Sequence, residues 1–124
     1  MRDDIYNANV VAQQVLIDPA ELKSKLPLTG QALKTLKSSR QAIRNILDRV
    51  DDRLMLVIGP CSIHDPIAAL DYAKRLRDLS RKVDDKILII MRVYFEKPRT
   101  TTGWKGLIND PYLNDSFNIS DGLE

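Results

Sequence analysis

Two unbroken apolar segments limit the possible folds of this chain more than any other feature. Residues 54–58 and 87–91 contain only aliphatic side chains and methionine, and Gly59-Pro60 stops the first segment. Unbroken apolar runs of this length are typical of strands that are buried on both faces of a parallel sheet. We therefore expect two fully buried strands.

A helix is predicted between these strands. Asp65-Pro66 has the chemistry of a helix start, because the carboxylate can cap free amides and proline needs no hydrogen-bond donor there. The apolar positions that follow have helical spacing and predict a buried stripe: Ala69, Tyr72, Ala73, Leu76, Leu79 and Val83. Strand, helix and strand at this spacing predict a βαβ unit with parallel strands.

Residues before the first strand are also predicted to be helical. Asp18-Pro19 marks one helix start, and Thr29-Gly30 precedes a second, longer helix. The longer helix has apolar positions at helical spacing, which predicts a packed stripe: Leu33, Leu36, Ile43, Ile46, Leu47 and Val50. At the other end of the chain, residues 119–124 are predicted to begin a helix, with Ser120 or Asp121 as its N-cap.

The composition restricts the class of protein. With 124 residues, one domain is expected, and 44% hydrophobic with 29% charged residues is typical of a folded, soluble chain. A net charge of +2 gives no argument for a nucleic-acid or membrane partner. The single cysteine excludes an internal disulfide and favours the reducing cytoplasm. The chain has no apolar run near the roughly 20 residues that span a bilayer, and its acidic start lacks the apolar region of a signal peptide.

The predicted topology brings two sets of reactive side chains to one edge of the sheet. Cys61 and His64 follow the first strand, and Arg92, Lys97 and Arg99 follow the second. Because the carboxyl ends of parallel strands open on the same face, both loops border one candidate site. Guanidinium and ammonium groups in such a loop are suited to binding a small polyanion.

Other interpretations of these residues stay open from the sequence alone. The basic loop is also typical of a solvated surface, and Tyr94, Phe95 and Trp104 between the cations are compatible with a nucleic-acid surface. Trp104 is predicted to pack rather than to stack on a ligand. Glu96 is interpreted as an ion-pair partner of a nearby cation, Arg92 or Lys97.

The spacing of Cys61 and His64 does not by itself make a metal site. Two possible ligands are too few, and a half-buried cysteine beside a capping or hydrogen-bonded histidine is the favoured interpretation. Asp65 is interpreted first as a helix cap.

Three strings of sequence resemble one enzyme family. Residues 59–66 (GPCSIHDP), 91–101 (MRVYFEKPRTT) and 103–111 (GWKGLINDP) are similar to the signatures of the type I, metal-dependent 3-deoxy-D-arabino-heptulosonate 7-phosphate (DAHP) synthases. The resemblance extends from about residue 15 to the end of the chain. Thr102 departs from it mildly, since a β-branched apolar residue is expected there.

The resemblance implies an α/β fold and an activity. The family's enzymes are (β/α)₈ TIM barrels with an N-terminal extension. We therefore expect residues 1–52 to form a helical extension for assembly and regulation. Residues 53–124 are expected to form the first βαβ portion of a truncated barrel. The family condenses phosphoenolpyruvate with erythrose 4-phosphate and releases phosphate, in the first step of the shikimate pathway to the aromatic amino acids.

Residue roles are carried over from the family only where the strings match. Cys61 is the expected ligand of a divalent metal ion of the Mn, Fe, Co or Zn type. Arg92 and Lys97 match residues that bind phosphoenolpyruvate, and Lys97 is the candidate catalytic residue. Lys97, Arg99 and Thr100 match residues around erythrose 4-phosphate, and His64 receives no role. The family's other metal ligands come from later strands, so this chain alone is expected to be inactive, with an exposed barrel edge to be covered.

The N-terminal segment has an expected role in regulation. In the family it reaches a neighbouring subunit, takes part in feedback inhibition by an aromatic amino acid, and supports a homo-oligomer (dimer or tetramer). Polar groups in residues 1–16 that suit an amino acid's ammonium are Asp3, Asp4, Asn7 and Asn9. A frayed terminus is the alternative. Residues 15–22 favour the tyrosine-sensitive type.

Two non-catalytic functions are retained as alternatives to the enzyme. One is a regulatory or oligomerisation module that binds an aromatic amino acid, and the other is a nucleic-acid-binding domain. The phosphate-gripping strings favour the enzyme, because a purely regulatory module does not need them.

Overall fold

The computed structural model describes residues 13–124, and the polar groups named above within residues 1–12 lie outside this range. The elements are α1 (Pro19–Lys25), α2 (Gly30–Leu47), β1 (Leu54–Ile58), α3 (Pro66–Val83), β2 (Ile87–Met91) and α4 (Ile119–Leu123). No helix within these residues is long and apolar enough to cross a membrane.

The helix starts predicted from capping chemistry are confirmed. The Asp18 carboxylate accepts a hydrogen bond from the Ala20 amide at 2.7 Å, and the Thr29 hydroxyl accepts one from the amide of Ala32 at 3.2 Å. The carboxylate of Asp65 accepts from two amides at the start of α3. Each cap satisfies donors that the first helical turn leaves free.

The helix predicted within residues 119–124 is confirmed, but its predicted N-cap is wrong. The N-cap of α4 is Asn118, rather than Ser120 or Asp121, and its side-chain oxygen accepts from the Asp121 amide at 3.3 Å. Asparagine caps as well as serine or aspartate, and from this position its oxygen reaches the amide three residues on.

The predicted βαβ unit is confirmed. Strands β1 and β2 pair in parallel, with a register that runs from Leu54 opposite Ile87 to Ile58 opposite Met91. Helix α3 crosses between them and packs against β2. The described residues therefore contain one two-stranded parallel sheet, and closure into a barrel stays a prediction.

The prediction that both strands are fully buried is wrong for the described chain. Strand β1 is exposed along its whole length and β2 is half-buried. Helix α3 covers β2, α2 touches β1, and no third strand adjoins the sheet within residues 13–124. The apolar pattern is that of a strand buried on both faces, but the described part of the chain packs against little more than one face of the sheet.

The predicted helical stripes are buried only in part. In α3, Leu76 is buried, whereas Tyr72 and Leu79 remain exposed at its surface. In α2, Ile43 and Ile46 are half-buried. The exposed positions of the second predicted stripe are Leu33, Leu36, Leu47 and Val50. These side chains have the spacing of a packed face, yet the described residues cover each of them only in part.

Candidate functional site

The carboxyl ends of the two strands approach each other closely. The Arg92 amide donates to the carbonyl of Ile58 at 2.8 Å, which extends the parallel pairing past β2. A Cβ atom at Gly59 would lie only 2.6 Å from the carbonyl oxygen of Arg92, so this approach needs glycine. The loops that follow the strands therefore begin in contact.

Arg92 is fixed across this junction. Its guanidinium donates to the Pro60 carbonyl at 3.1 Å and to the Gly59 carbonyl at 3.2 Å. The group also lies 5.3 Å from the centroid of the Tyr94 ring, within range of a cation–π interaction. Within residues 13–124, Arg92 contacts neutral carbonyls and a ring but no acid, so its positive charge is not neutralised there.

Lys97 and Cys61 meet across the two loops. The Lys97 ammonium donates to the Cys61 sulfur at 2.8 Å and to the Cys61 carbonyl at 3.0 Å. This hydrogen bond and the charge of Lys97 lower the pKa of the Cys61 thiol, and the charges of Arg92 and Arg99 add smaller effects. The cysteine is exposed, rather than half-buried as predicted, so the site offers a thiol of lowered pKa on an open face.

Backbone contacts hold both loops in place. The Ile63 amide donates to the Tyr94 carbonyl at 2.9 Å, and the hydroxyl of Ser62 donates to the same oxygen at 3.3 Å. The Ile63 side chain is buried, so the Cys61 loop is anchored by packing as well as by hydrogen bonds. The Lys97 amide donates to the Lys105 carbonyl at 2.7 Å.

Arg99 lies beside this cluster and is held separately. Its Nε donates to the Trp104 carbonyl at 3.0 Å, while Lys105 donates to the Arg99 carbonyl at 2.9 Å. Thr100 is exposed, and its hydroxyl makes no hydrogen bond within residues 13–124. The structure thus brings Cys61, Arg92 and Lys97 together, with Arg99 adjacent and Thr100 at the rim.

The remaining candidates lie outside the cluster. His64 is exposed and makes no side-chain hydrogen bond in the described chain, so the capping or hydrogen-bonded role predicted for it is wrong. Glu96 forms no ion pair with either cation among the described residues; its backbone pairs instead with Gly106. The packing role predicted for Trp104 is confirmed, since its half-buried indole donates to the Asp110 carbonyl at 2.7 Å.

The donor set for a metal ion is incomplete in the described chain. A thiolate is a good ligand for zinc and related divalent metals. Within residues 13–124, however, no group of three histidine, cysteine, aspartate or glutamate side chains gathers around one point. Cys61 therefore fits one position of a metal site and leaves the other ligands to be supplied.

Sequence reasoning missed the residues that support the basic loop. Asp110 is the most buried polar residue of the described chain. The Trp104 carbonyl accepts from the Arg99 side chain, and the Lys105 carbonyl accepts from the Lys97 amide, so these two carbonyls support the basic loop. The sequence gives little sign of this, because backbone acceptors carry no residue signature. The glycines and the proline of residues 103–111 indicate a tight turn, but not which groups it buries.

The comparison with known protein families covers the strands and both loops of the candidate site. The sequence profile of the DAHP synthetase I family matches residues 21–124. The chain belongs to this family. The match includes both strands of the DAHP synthetase I chain, the Cys61 loop and the basic loop, so the resemblance inferred from residues 59–111 is confirmed.

Curated relatives of this DAHP synthetase I chain come from several bacteria. It is 57% identical over 108 residues to the Phe-sensitive phospho-2-dehydro-3-deoxyheptonate aldolase of Escherichia coli K12, covering 87% of this chain and 31% of the relative. It is 48% identical over 123 residues to the Tyr-sensitive aldolase of the same strain, covering 99% of this chain and 35% of the relative. The chain therefore spans about a third of the length of these relatives.

A solved structure shares the fold. The phospho-2-dehydro-3-deoxyheptonate aldolase of Francisella tularensis SCHU S4 superimposes with a TM-score of 0.86 at 52% identity, covering 92% of this chain and 33% of that protein. Relatives of both the Phe-sensitive and the Tyr-sensitive kind match, so the preference for the tyrosine-sensitive type stays a prediction.

Proposed function

We propose that the protein to which these residues belong is a DAHP synthase, which condenses phosphoenolpyruvate with erythrose 4-phosphate. The observation that carries the proposal is the meeting of Cys61, Arg92 and Lys97 at the carboxyl ends of two parallel strands, inside the segment that matches the family. Ligands of parallel α/β folds bind at this edge. The names of the curated relatives support the same reaction.

The cations of the site have complementary tasks. Arg92 and Lys97 form no ion pair with an aspartate or glutamate within residues 13–124, so both cations can bind the carboxylate and phosphate of phosphoenolpyruvate. Lys97, Arg99 and Thr100 border the phosphate of erythrose 4-phosphate. Holding both anions in register supplies the orientation that a bimolecular carbon–carbon bond formation requires.

The reaction joins the enol carbon of phosphoenolpyruvate to the aldehyde carbon of erythrose 4-phosphate, consumes water and releases phosphate. Cys61 would be one ligand of a divalent metal ion of the Mn, Fe, Co or Zn type, which supplies Lewis-acid polarisation of the aldehyde when bound. Lys97 is the candidate catalytic residue, because its ammonium belongs to the basic loop and donates to the sulfur of Cys61.

The 124-residue chain alone is proposed to be inactive, since Cys61 is a single donor and more ligands are required for a metal site. The test measures phosphoenolpyruvate consumption with erythrose 4-phosphate and Mn²⁺. It compares this chain with one extended to the relatives' length by the remaining residues of the Escherichia coli Phe-sensitive relative. Activity only in the extended chain, abolished by Cys61→Ala, is expected. Turnover by the 124-residue chain would contradict its proposed inactivity. Turnover that survives Cys61→Ala would also contradict the proposed metal-ligand role of Cys61.

Feedback control by an aromatic amino acid is a further part of the proposed function, together with assembly into a homo-oligomer. It is supported by the Phe-sensitive and Tyr-sensitive names of the relatives. Calorimetric titration of the extended chain with phenylalanine, tyrosine and tryptophan tests it. Tight binding of one of the three is expected, and no binding by any would contradict this part alone. Binding by the 124-residue chain without catalysis in the extended one would favour the non-catalytic regulatory module.

A further inference from the structure

Asp110 is unusual for a loop carboxylate. It is 2% exposed, and its Oδ1 has no hydrogen-bond partner within residues 13–124. Its Oδ2 accepts from the Asp115 amide at 3.2 Å. Burying a carboxylate with one oxygen unsatisfied is unfavourable, so the position needs an explanation other than stability.

The turn around Asp110 is strained. Leu113 has a φ of 54° and Asp115 a φ of 58°, in the left-handed region that non-glycine residues adopt at a cost. The Asp110 carboxylate bonds to the second of these residues, and the Asp110 carbonyl accepts from the Leu113 amide at 3.4 Å. Asp110 is therefore the group that holds this turn closed.

A chain of hydrogen bonds leads from Asp110 to the basic loop. The Trp104 indole donates to the carbonyl of Asp110 at 2.7 Å, and the carbonyl of Trp104 accepts from Arg99 Nε at 3.0 Å. Because Nε is engaged, the guanidinium plane is fixed. Its two terminal amino groups make no hydrogen bond within the described residues, so they remain as a fork for an anion.

We propose that Asp110 is a positioning residue for phosphate recognition, in which its buried carboxylate holds the 110–115 turn, the turn holds Trp104, and Trp104 aims the guanidinium fork of Arg99. The assignment of erythrose 4-phosphate to this fork rests on the proposed function. The fork's capacity to bind a phosphate group does not.

The first test measures binding of inorganic phosphate to the 124-residue chain by calorimetry. Asp110→Ala leaves the Asp115 amide without its acceptor and is expected to weaken binding about tenfold. Asp110→Asn keeps an oxygen acceptor and is expected to restore binding to within about threefold. Tyr112→Phe is the matched control, since it removes a hydrogen bond from the same loop to Asp121, away from Arg99.

A double variant separates positioning from general destabilisation. If Asp110 acts through Arg99, Asp110→Ala should weaken phosphate binding in the parent chain but have little further effect in an Arg99→Met background. Additive losses would overturn the proposal. So would undiminished binding by Asp110→Ala, or the absence of phosphate binding by the unsubstituted chain.

Trp104 reports the loop directly, because it is the only tryptophan of the chain. Asp110→Ala is expected to shift its emission to the red and to increase its quenching by acrylamide, while far-UV circular dichroism is unchanged. Asp110→Asn and Tyr112→Phe should leave both signals near those of the parent chain. An unshifted emission in Asp110→Ala would contradict the link between the turn and Trp104.

Kinetics of the extended chain tests the substrate assignment. Asp110→Ala should raise the KM for erythrose 4-phosphate about tenfold and change the KM for phosphoenolpyruvate less than about twofold. Equal changes in both KM values would overturn the assignment. An extended chain that does not condense the two substrates, while the phosphate-binding results hold, would refute the proposed function and leave the positioning role of Asp110 standing.

Discussion

The loop after β1 and strand β1 itself differ sharply in burial, since Ile63 in the loop is 6% exposed whereas Leu54 in the strand is 73% exposed. Loops are normally the more exposed and more mobile part of a fold. Here the loops are closed by contacts among themselves, while the sheet face has few neighbours within residues 13–124. The candidate site is thus formed locally, whereas the sheet has the apolar pattern of an element that packs against more than the described residues provide.

The largest expected effect would break the closed loops. Alanine at Gly106 would place a Cβ atom against the Phe95 carbonyl and the Glu96 backbone, at a φ of 116°. Gly106→Ala is expected to cost about 3 kcal/mol or more, as strain and overlap combined. Urea unfolding followed by Trp104 fluorescence measures this. Gly30→Ala is the control, because nothing lies within 4 Å of its added Cβ atom, and equal effects would show that the loops are not closed as described.

The second prediction compares the two regions directly. Ile63→Ala should destabilise the chain by about 2–4 kcal/mol, because it leaves a cavity in the packed loop. Leu54→Ala removes an exposed side chain and should stay within about 0.5 kcal/mol. The same urea unfolding experiment measures both. A large loss on Leu54→Ala in this chain would mean that the strand face is covered in solution. In the extended chain, that loss is expected.

Local chemistry explains which features were predictable from the sequence. Asp18, Thr29 and Asp65 cap their helices because a short polar side chain next to the first turn can accept hydrogen bonds from its free backbone amides. The shared edge for Cys61 and Lys97 follows from parallel strands alone, so the sequence predicts that these two residues lie close together.

The features that were missed depend on the backbone path of an irregular loop. The contacts of Asp110 with Trp104 and Asp115 join residues five or six apart, and the turn between them has left-handed residues at Leu113 and Asp115 that the sequence pattern does not mark. Strand burial was overpredicted for a different reason. An apolar side chain such as Leu54 indicates that a strand packs against other residues. It does not indicate whether those residues lie within the same stretch of chain. The catalytic, substrate and metal roles of the site residues stay predictions.

The smallest expected effect concerns the amino end of β1, opposite the candidate site. An ion-pair cluster lies at this end, whereas hydrogen-bonded loops lie at the carboxyl end. Arg53 precedes β1 and contacts Asp51 at 2.7 Å and Asp84, after α3, at 2.8 Å. The hydrogen bond from the Arg53 side chain lowers the pKa of Asp51, and the Arg53 amide adds to the effect. A carboxyl whose pKa is lowered on folding contributes stability above its unfolded pKa and loses it as the pH falls through the folded value.

The stability from this pair should therefore be present at neutral pH and decline below about pH 4. Arg53→Met should lower the urea midpoint at about pH 7 more than at about pH 3, because at about pH 3 the carboxyl of Asp51 is largely protonated in the unfolded chain and part of the pair's contribution is already lost. Lys86→Met is the control, because its contact to the neighbouring Asp85 is long and exposed at 3.9 Å. An equal loss at both pH values would assign the role of Arg53 to its hydrogen bond with the Asp84 carbonyl, which does not titrate. Strand β1 would then be held at both of its ends by hydrogen bonds to backbone carbonyls. Its exposed faces alone would distinguish it from the closed loops.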